Sequence, residues 1–262
     1  MAASRPVAAL RFATKAVALT LLVAVIVPLQ SLALATSRRG ATGRIPRAFH
    51  RGFARIIGLE VEVLGAPVGS GAVVYASNHL SYLDVFALGG LLPARFVAKE
   101  DMRSWPVIGW LASLQRTLFV SRTAHRAVGV VSAIDAALAA GDALVLFAEG
   151  TTSDGVDVLP FKSSAFAPFA AASVRVQPVT ITLVAVDGKA VGPGPGPLRD
   201  CYAYYRDMHL APHLRAFLGL SGAKLRLRFH PPLDAAACAD RKALAQATRH
   251  RVVGGLANAA AP

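Results

Sequence analysis

A long apolar segment close to the N-terminus restricts what this part of the chain can fold into. The segment AVALTLLVAVIVPLQSLALA, residues 16–35, contains 20 residues and no charged side chain. As an α-helix, with a rise of about 1.5 Å per residue, it is long enough to cross a hydrocarbon core of about 30 Å. We therefore predict either a helix retained in a membrane or the apolar part of a signal peptide.

The cations around this segment favour the retained helix. Residues 1–59 contain nine lysine and arginine residues and no acidic residue, whereas the rest of the chain contains 19 cations and 15 acids. Six arginines follow the apolar segment: Arg38, Arg39, Arg44, Arg47, Arg51 and Arg55. Because cations just beyond an apolar segment resist translocation, we expect an uncleaved anchor in the inner membrane, with the remaining chain in the cytoplasm.

Other arrangements of the N-terminal region stay open. Ala33-Leu34-Ala35 fits the small-residue pattern of a signal-peptide cleavage site, which is the competing interpretation. For a retained helix, a kink at Pro28 or a position in the plane of the interface would leave both ends cytoplasmic. The cationic cluster lacks the interleaved aromatic residues of a nucleic-acid surface, so the expected partners are membrane lipids and not nucleic acids.

From about residue 60 onward, short apolar runs alternate with helical patterns. Strands are predicted at residues 71–78, 94–99, 116–122, 143–150, 174–186 and 224–233. Helices are predicted at residues 83–92, 107–114, 124–140, 163–172 and 234–257, with Gly141 as a stop signal. This alternation predicts one α/β domain over residues 60–262, preceded by the anchor over residues 1–59.

The cysteines and the Gly/Pro-rich segment predict no further site. Cys201 and Cys238 have neither a disulfide framework nor a metal-binding spacing, so we expect no metal site. The segment GKAVGPGPGPLRD, residues 188–200, lacks the GxxxxGK pattern of a phosphate-binding loop and is interpreted as a spacer.

A histidine, a serine and an aspartate occur close together in SNHLSYLDVFAL, residues 77–88. Ser81 and Asp84 fit a capping box, with Ser81 as the N-cap of the helix that follows. His79 then precedes the helix and can fold back to its first turn, where Asp84 can accept a hydrogen bond from Nδ1. Such a carboxylate fixes the imidazole tautomer, so that Nε2 can take a proton from a hydroxyl group.

Two other interpretations use the same residues. A helix cap alone explains Ser81 and Asp84 without any catalysis. A Ser-His-Asp hydrolase is the second alternative, but Ser81 lies only two residues from His79, and the chain has no GxSxG motif. The pattern therefore favours base catalysis on an external hydroxyl over a nucleophilic serine.

Four blocks of the sequence resemble, in order, those of the glycerolipid acyltransferase superfamily, which includes the bacterial lysophosphatidate acyltransferases. NHLSYLD is similar to the NHxSxxD block, and FVAKEDMRSWPVIGWLASLQRTLFVSR, residues 96–122, is similar to the second block. LFAEGTTSDG, residues 146–155, resembles the FPEGTRS block, and VQPVTI, residues 176–181, resembles the short proline block. The ordered set covers about residues 70–185 and is far more specific than any one block.

The resemblance implies a fold, a reaction and a set of site residues. The fold is a mixed central sheet flanked by helices, and the reaction moves a fatty acyl chain from an acyl thioester to the free hydroxyl of a lysolipid. It implies that His79 deprotonates the hydroxyl and that Asp84 orients His79. It assigns substrate contacts to Asn78, Ser81, Lys99, Arg122, Glu149, Gly150, Thr151 and Thr152. The donor is a thioester of acyl carrier protein or coenzyme A, with no further cofactor.

Two residues of the third block depart from the family and bear on the acceptor. Ala148 replaces a proline, which alters the stiffness of the loop. Thr152 replaces an arginine, the residue best suited to bidentate phosphate binding. We expect 1-acyl-sn-glycerol 3-phosphate as the acceptor, giving phosphatidic acid. The alternative is lyso-ornithine lipid, because EGTTSDGVDVLPFKSS resembles that branch of the family. A non-catalytic lipid-binding protein on the same fold is a third interpretation, against which the intact His79 and Asp84 argue.

Overall fold

The strands form one mixed sheet in the computed structural model, which describes residues 4–36, 44–69, 71–120, 133–172 and 174–257. The strands within these residues are β1 (Leu59–Leu64), β2 (Val73–Ser77), β3 (Ala94–Lys99), β4 (Leu118–Val120), β5 (Ala143–Phe147), β6 (Arg175–Val186), β7 (Lys189–Ala190), β8 (Ala223–Phe229) and β9 (Leu233–Asp234). Their order is β1-β8-β6-β2-β5-β3-β4, and β7 and β9 pair with β6.

Parallel pairing places the ends of several strands at one edge of the sheet. Strands β6, β2, β5, β3 and β4 are parallel to one another, whereas β8 is antiparallel to β6 and parallel to β1. The sheet is therefore mixed, as the resemblance implies. Because Ser77 is opposite Phe147 in the β2–β5 pair, the residues that follow these two strands meet at the carboxyl edge.

Helices lie between the strands and on both faces of the sheet. They are α1 (Arg5–Thr36), α2 (Arg44–Ile57), α3 (Asp84–Leu91), α4 (Ile108–Leu114), α5 (residues 133–139), α6 (Ala167–Ala171), α7 (Pro197–Asp200), α8 (Leu210–Leu218) and α9 (Arg241–Ala257). Short 3-10 helices cover Glu100–Ser104, Ser163–Phe166 and Ala235–Ala237. One face of the sheet packs mainly against α3 and α8, and the other against α6 and α9.

Each of the six predicted strands overlaps an observed one, but the helices differ more from their predictions. Gly141 has a φ of 78° and donates its N–H to the carbonyl of Leu138 at 2.9 Å, which confirms the predicted stop after α5. The first part of the predicted helix, residues 124–132, lies outside the described residues. The predicted helix 234–257 instead begins at Arg241, because Asp240 Oδ1 accepts the N–H groups of Lys242 and Ala243 and starts a new helix there.

Several observed elements have no counterpart among the predicted ones. These are β1, β7, α2, α7 and α8. Helix α2 belongs to the region interpreted as a basic flank, yet Phe49, His50 and Ile57 are buried. The division of the chain after residue 59 stays a prediction.

Helix α1 lies along the surface of the folded chain. It is long and apolar enough to cross a membrane, judged by length and composition. Lys15 Nζ donates to the carbonyls of Ile57 at 2.9 Å and Leu220 at 2.7 Å, and Gln30 Nε2 donates to the carbonyl of Leu114 at 2.8 Å. Lys15 and Gln30 are about 22 Å apart along the helix axis. The side of α1 away from these contacts exposes an apolar stripe: Leu10, Val17, Leu21, Val25, Leu29 and Leu32.

Candidate active site

The ring of His79, two residues beyond the end of β2, is held by two neighbours. Nδ1 lies 2.9 Å from Asp84 Oδ2, and the ring stacks on Phe147 with 3.7 Å between the ring centroids. In the described part of the chain Nε2 makes no hydrogen bond, and the side chain is 15% exposed. The geometry therefore leaves Nε2 accessible to a hydroxyl group while Nδ1 is engaged.

Asp84 is fully buried and receives a hydrogen bond on each oxygen. Besides His79, Oδ2 accepts from the N–H groups of Leu80 at 2.7 Å and Ser81 at 3.0 Å. Oδ1 accepts from the hydroxyl of Tyr202 at 2.7 Å. A buried carboxylate requires such donors because the loss of water otherwise penalises its charge. The structure thus brings together the two side chains that the sequence pairs as base and orienting group.

Helix α3 begins at Asp84, so the predicted N-cap at Ser81 is wrong. Leu83 occupies the N-cap position and its side chain forms no cap hydrogen bond. Ser81 Oγ accepts only a 3.4 Å hydrogen bond from the N–H of Leu83. The carboxylate of Asp84 instead accepts the N–H groups of Leu80 and Ser81, which precede the helix.

Glu149 follows β5 at the same edge and connects the third block to His79. Its Oε1 accepts the N–H of His79 at 3.0 Å, and the N–H of Ser153 donates to the carbonyl of His79 at 2.9 Å. Glu149 is only 1% exposed, so it is not a solvated carboxylate at the edge of a loop. The loop after β5 and the loop after β2 therefore form one rigid unit around His79.

The other assigned residues of the first two blocks lie in different settings. Asn78 is fully buried and exchanges two hydrogen bonds with the backbone of Ile181, at 2.9 and 2.8 Å, so its amide anchors the loop to β6. Lys99 is exposed at the carboxyl end of β3. Arg122 lies outside the described residues, and its contact with substrate stays a prediction.

The third block forms a turn beside the stem of a lysine. Gly150 has a φ of 68°, and a Cβ atom at this position would lie 3.4 Å from Lys162 Cγ. Thr151 is exposed and Thr152 is half-buried. Both threonines therefore lie between Glu149 and Ser153, the two residues of this loop that form hydrogen bonds with the backbone of His79.

Comparisons with known proteins decide the family. A model of the family described as Acyltransferase matches residues 41–182 of the chain. The chain belongs to this family.

Two curated relatives and one solved structure resemble this acyltransferase over most of its length. It is 39% identical over 235 residues to the Lyso-ornithine lipid O-acyltransferase of Brucella abortus, which covers 87% of this chain and 86% of the relative. It is 31% identical over 216 residues to the 1-acyl-sn-glycerol-3-phosphate acyltransferase of Neisseria meningitidis, covering 79% and 81%. The crystal structure of the 1-acyl-sn-glycerophosphate (LPA) acyltransferase PlsC from Thermotoga maritima shares its fold, with a TM-score of 0.70, 20% identity and coverage of 97% and 96%.

Two residues that hold the site of this acyltransferase together have no sequence signal. Tyr202, which donates to Asp84, and Arg199 both lie beyond the four blocks. Arg199 is 5% exposed and donates to the carbonyls of Gly192 at 2.8 Å, Gly194 at 3.2 Å, Asp154 at 3.2 Å and Gly155 at 3.3 Å. The Gly/Pro segment thus directs carbonyl oxygens toward a cation, which is the wrong polarity for a phosphate. The segment is therefore not only the spacer that the sequence predicts, because its Arg199 is hydrogen-bonded to the third block.

Burial raises the pKa of Glu149 to about 8, although the hydrogen bond from the N–H of His79 acts in the opposite direction. The second oxygen, Oε2, is buried and has no hydrogen-bond partner among the described residues. Near neutral pH the carboxyl group of Glu149 is therefore mostly protonated. A protonated Glu149 adds no negative charge beside the Asp84 carboxylate.

The raised pKa of Glu149 predicts that stability falls as the pH rises. The unfolded chain releases this proton near the ordinary value of 4.5 and the folded chain near 8, so stability is lost between these values. The slope can reach about 1.4 kcal/mol per pH unit. We expect Glu149→Gln to flatten this decline, whereas Glu60→Gln, at an exposed position of β1, should leave it unchanged. Thermal unfolding midpoints in detergent at about pH 5.5, 7 and 8.5 measure the slope. Parallel curves for wild type and Glu149→Gln would contradict the prediction.

Proposed function

We propose that this acyltransferase moves a fatty acyl chain from an acyl thioester to the free hydroxyl of lyso-ornithine lipid. The observation that carries this choice is the 39% identity, over 87% of the chain, to a relative named Lyso-ornithine lipid O-acyltransferase. Thr152 supports it, because an acceptor without phosphate does not need the arginine that the family has at this position. The relative of Neisseria meningitidis supports a second acceptor, 1-acyl-sn-glycerol 3-phosphate, which the sequence analysis placed first.

The proposed reaction proceeds by base catalysis at His79. Nε2 takes the proton of the acceptor hydroxyl as its oxygen attacks the thioester carbonyl carbon, forming the new C–O bond. Asp84 stabilises the imidazolium that results, since its Oδ2 is 2.9 Å from Nδ1. The C–S bond then breaks, and the proton passes from Nε2 to the departing thiolate. The products are the diacylated lipid and a free thiol on acyl carrier protein or coenzyme A, and the step needs no further cofactor.

Contacts with the head group are proposed for Lys99, Gly150, Thr151 and Thr152, and for Arg122, which lies outside the described residues. Asn78, Ser81 and, through Oε1, Glu149 form hydrogen bonds with the backbone and are proposed to hold the loops in place.

A parallel assay of the two acceptors tests the proposal. The purified full-length chain is offered a labelled acyl thioester with either lyso-ornithine lipid or lysophosphatidate. We expect kcat/KM to be at least about tenfold higher for lyso-ornithine lipid, equivalent to about 1.4 kcal/mol. A preference for lysophosphatidate would show that this lipid, and not lyso-ornithine lipid, is the acceptor. Transfer to neither lipid would overturn the proposed function.

The membrane partner is proposed to be the cytoplasmic leaflet of the inner membrane. The apolar stripe of α1 would face the lipid while Lys15 and Gln30 hold the other side to the folded chain. We expect the uncleaved chain to fractionate with the inner membrane, and protease added outside sealed spheroplasts should not digest its domain. Mass spectrometry of the intact protein checks the N-terminus. A mature chain that begins near Thr36 outside the cytoplasm would contradict this arrangement.

A further inference from the structure

We propose that Tyr202 is a positioning residue for the reaction and acts on His79 through Asp84. Its hydroxyl donates to Asp84 Oδ1 at 2.7 Å, on the oxygen opposite the one that faces His79. Tyr202 lies outside residues 41–182, which the family model matches. The inference rests on the proposed role of His79 as the base and is independent of which acceptor is used.

The two oxygens of Asp84 have different partners. Oδ2 is shared by His79, Leu80 and Ser81, whereas the hydroxyl of Tyr202 is the donor to Oδ1 among the described residues. Because Asp84 is fully buried, no water can replace that hydroxyl without a change in the surrounding packing. The phenol thus determines which way the carboxylate plane is turned and how its charge is divided between the two oxygens.

Tyr202 is suited to donate at every pH at which the chain works. Burial, together with the charge of Asp84, raises its pKa well above the ordinary value. The ring is fully buried and packs edge-on against Phe217, with 5.9 Å between the centroids. The hydroxyl therefore stays protonated and has one orientation available to it.

The backbone around Tyr202 is fastened to both loops of the site. Arg199 donates to the carbonyls of Asp154 and Gly155 in the third block, at 3.2 and 3.3 Å. The N–H of Tyr204 donates to the carbonyl of Leu80 in the first block at 2.9 Å. The segment 199–204 is therefore fixed to both loops, which holds the phenol beside Asp84.

Loss of the phenol should affect the chemical step more than binding. Without a donor on Oδ1, more of the carboxylate charge rests on Oδ2, which faces His79 and holds the protonated imidazole more tightly. The free base then forms only at higher pH. Substrate does not touch Tyr202 in its fully buried position, so KM should change little.

The test compares Tyr202→Phe with Tyr75→Phe in the full-length protein. Tyr75 is 2% exposed and also loses a buried hydrogen bond, from its hydroxyl to the carbonyl of Val68 at 2.8 Å. It is not among the described residues that form a hydrogen bond with Asp84. We expect Tyr202→Phe to lower kcat by about tenfold or more, to change KM by less than about twofold, and to move the acidic limb of the pH profile of kcat/KM to higher pH. Tyr75→Phe should keep the wild-type kcat and profile even if both variants melt earlier. Identical kinetics of the two variants would overturn the proposal.

A second comparison separates action through Asp84 from a general loss of structure. In an Asp84→Asn background, adding Tyr202→Phe should change kcat by less than about twofold, because the charge that the phenol modulates is gone. A full tenfold effect in that background would overturn the proposal. If Tyr202→Phe does not fold, 3-fluorotyrosine at position 202 keeps the hydroxyl as a stronger donor and should move the acidic limb to lower pH. If the acidic limb of the pH profile does not move, the proposed role of Tyr202 is wrong.

The proposed function and this inference fail in different ways. All variants are assayed with lyso-ornithine lipid and with lysophosphatidate, and the fold-change from Tyr202→Phe should be the same for both. If wild type acylates neither lipid, the imidazole ¹⁵N resonances of His79 provide a readout without turnover. They should shift in Tyr202→Phe and stay in place in Tyr75→Phe, and unshifted resonances in both would overturn the role of Tyr202.

Discussion

Replacing His79 by alanine is expected to lower kcat of acyl transfer by at least about 100-fold, as the loss of a general base should. Nε2 of His79 is free of hydrogen bonds in the described part of the chain, whereas Nδ1 is held by Asp84 at 2.9 Å. The side chain is 15% exposed and lies in the loop after β2, outside the strands and helices, so the variant should lose some stability but still fold. Turnover of a labelled acyl thioester and the thermal melting curve measure the two effects.

Two further variants make the test of His79 specific. His250→Ala removes an exposed histidine of α9 and should retain wild-type turnover. Asp84→Asn keeps the size of the side chain and an oxygen for the backbone donors, so it should be mild in stability but severe in turnover. Near wild-type transfer by His79→Ala, with a normal supply of thioester, would show that the proposed mechanism is wrong.

The variant Thr152→Arg is expected to separate the two acceptors. If the acceptor carries phosphate, the restored arginine adds a charge-assisted hydrogen bond of roughly 1.5 to 3 kcal/mol. KM for lysophosphatidate should then fall at least about tenfold. With lyso-ornithine lipid the same guanidinium meets an ammonium group or lacks a partner, so kcat/KM should fall. The measurement is kcat/KM for both acceptors in wild type and variant.

Controls for this variant address size and the second cation. Thr152→Gln lengthens the side chain without a charge and should not improve the use of lysophosphatidate. Arg122→Ala should abolish lysophosphatidate use if Arg122 binds the phosphate, and should lower lyso-ornithine lipid use less. If Thr152→Arg and Arg122→Ala each affect both acceptors equally, neither position distinguishes the head groups, and the assignment of the third block to head-group binding is wrong.

Much of the site could be predicted because it lies at the ends of consecutive strands. The apolar runs of β2 and β5 end just before His79 and Glu149, and parallel strands bring their carboxyl ends to one edge. Residues five positions apart, such as His79 and Asp84, can meet only where a turn precedes a helix. Local spacing therefore predicted the dyad and placed Glu149 at the end of a strand, whereas the mixed sheet was expected only from the family resemblance.

The sequence was a poorer guide where a side chain had two possible partners. Ser81 and Asp84 have the spacing of a capping box, but the structure uses Asp84 as the acceptor and starts the helix later. The family resemblance assigns Asn78 to substrate contact, yet its amide forms hydrogen bonds with the backbone of Ile181 in β6, 103 residues away. A buried polar side chain bonds to whichever partner the packing places beside it, and the packing depends on the whole fold.

By itself the sequence determined the apolar helix, the strands of the parallel part of the sheet and the residues that follow them, since these depend on local periodicity and spacing. Only the tertiary structure decided that α1 lies along the surface, that Glu149 is buried and that Tyr202 completes the shell of Asp84. Tyr202 and Asp84 are 118 positions apart in the chain. No local pattern specifies such a pair, because the hydrogen bond exists only after the sheet, α3 and the segment around α7 have packed together and excluded water from the carboxylate.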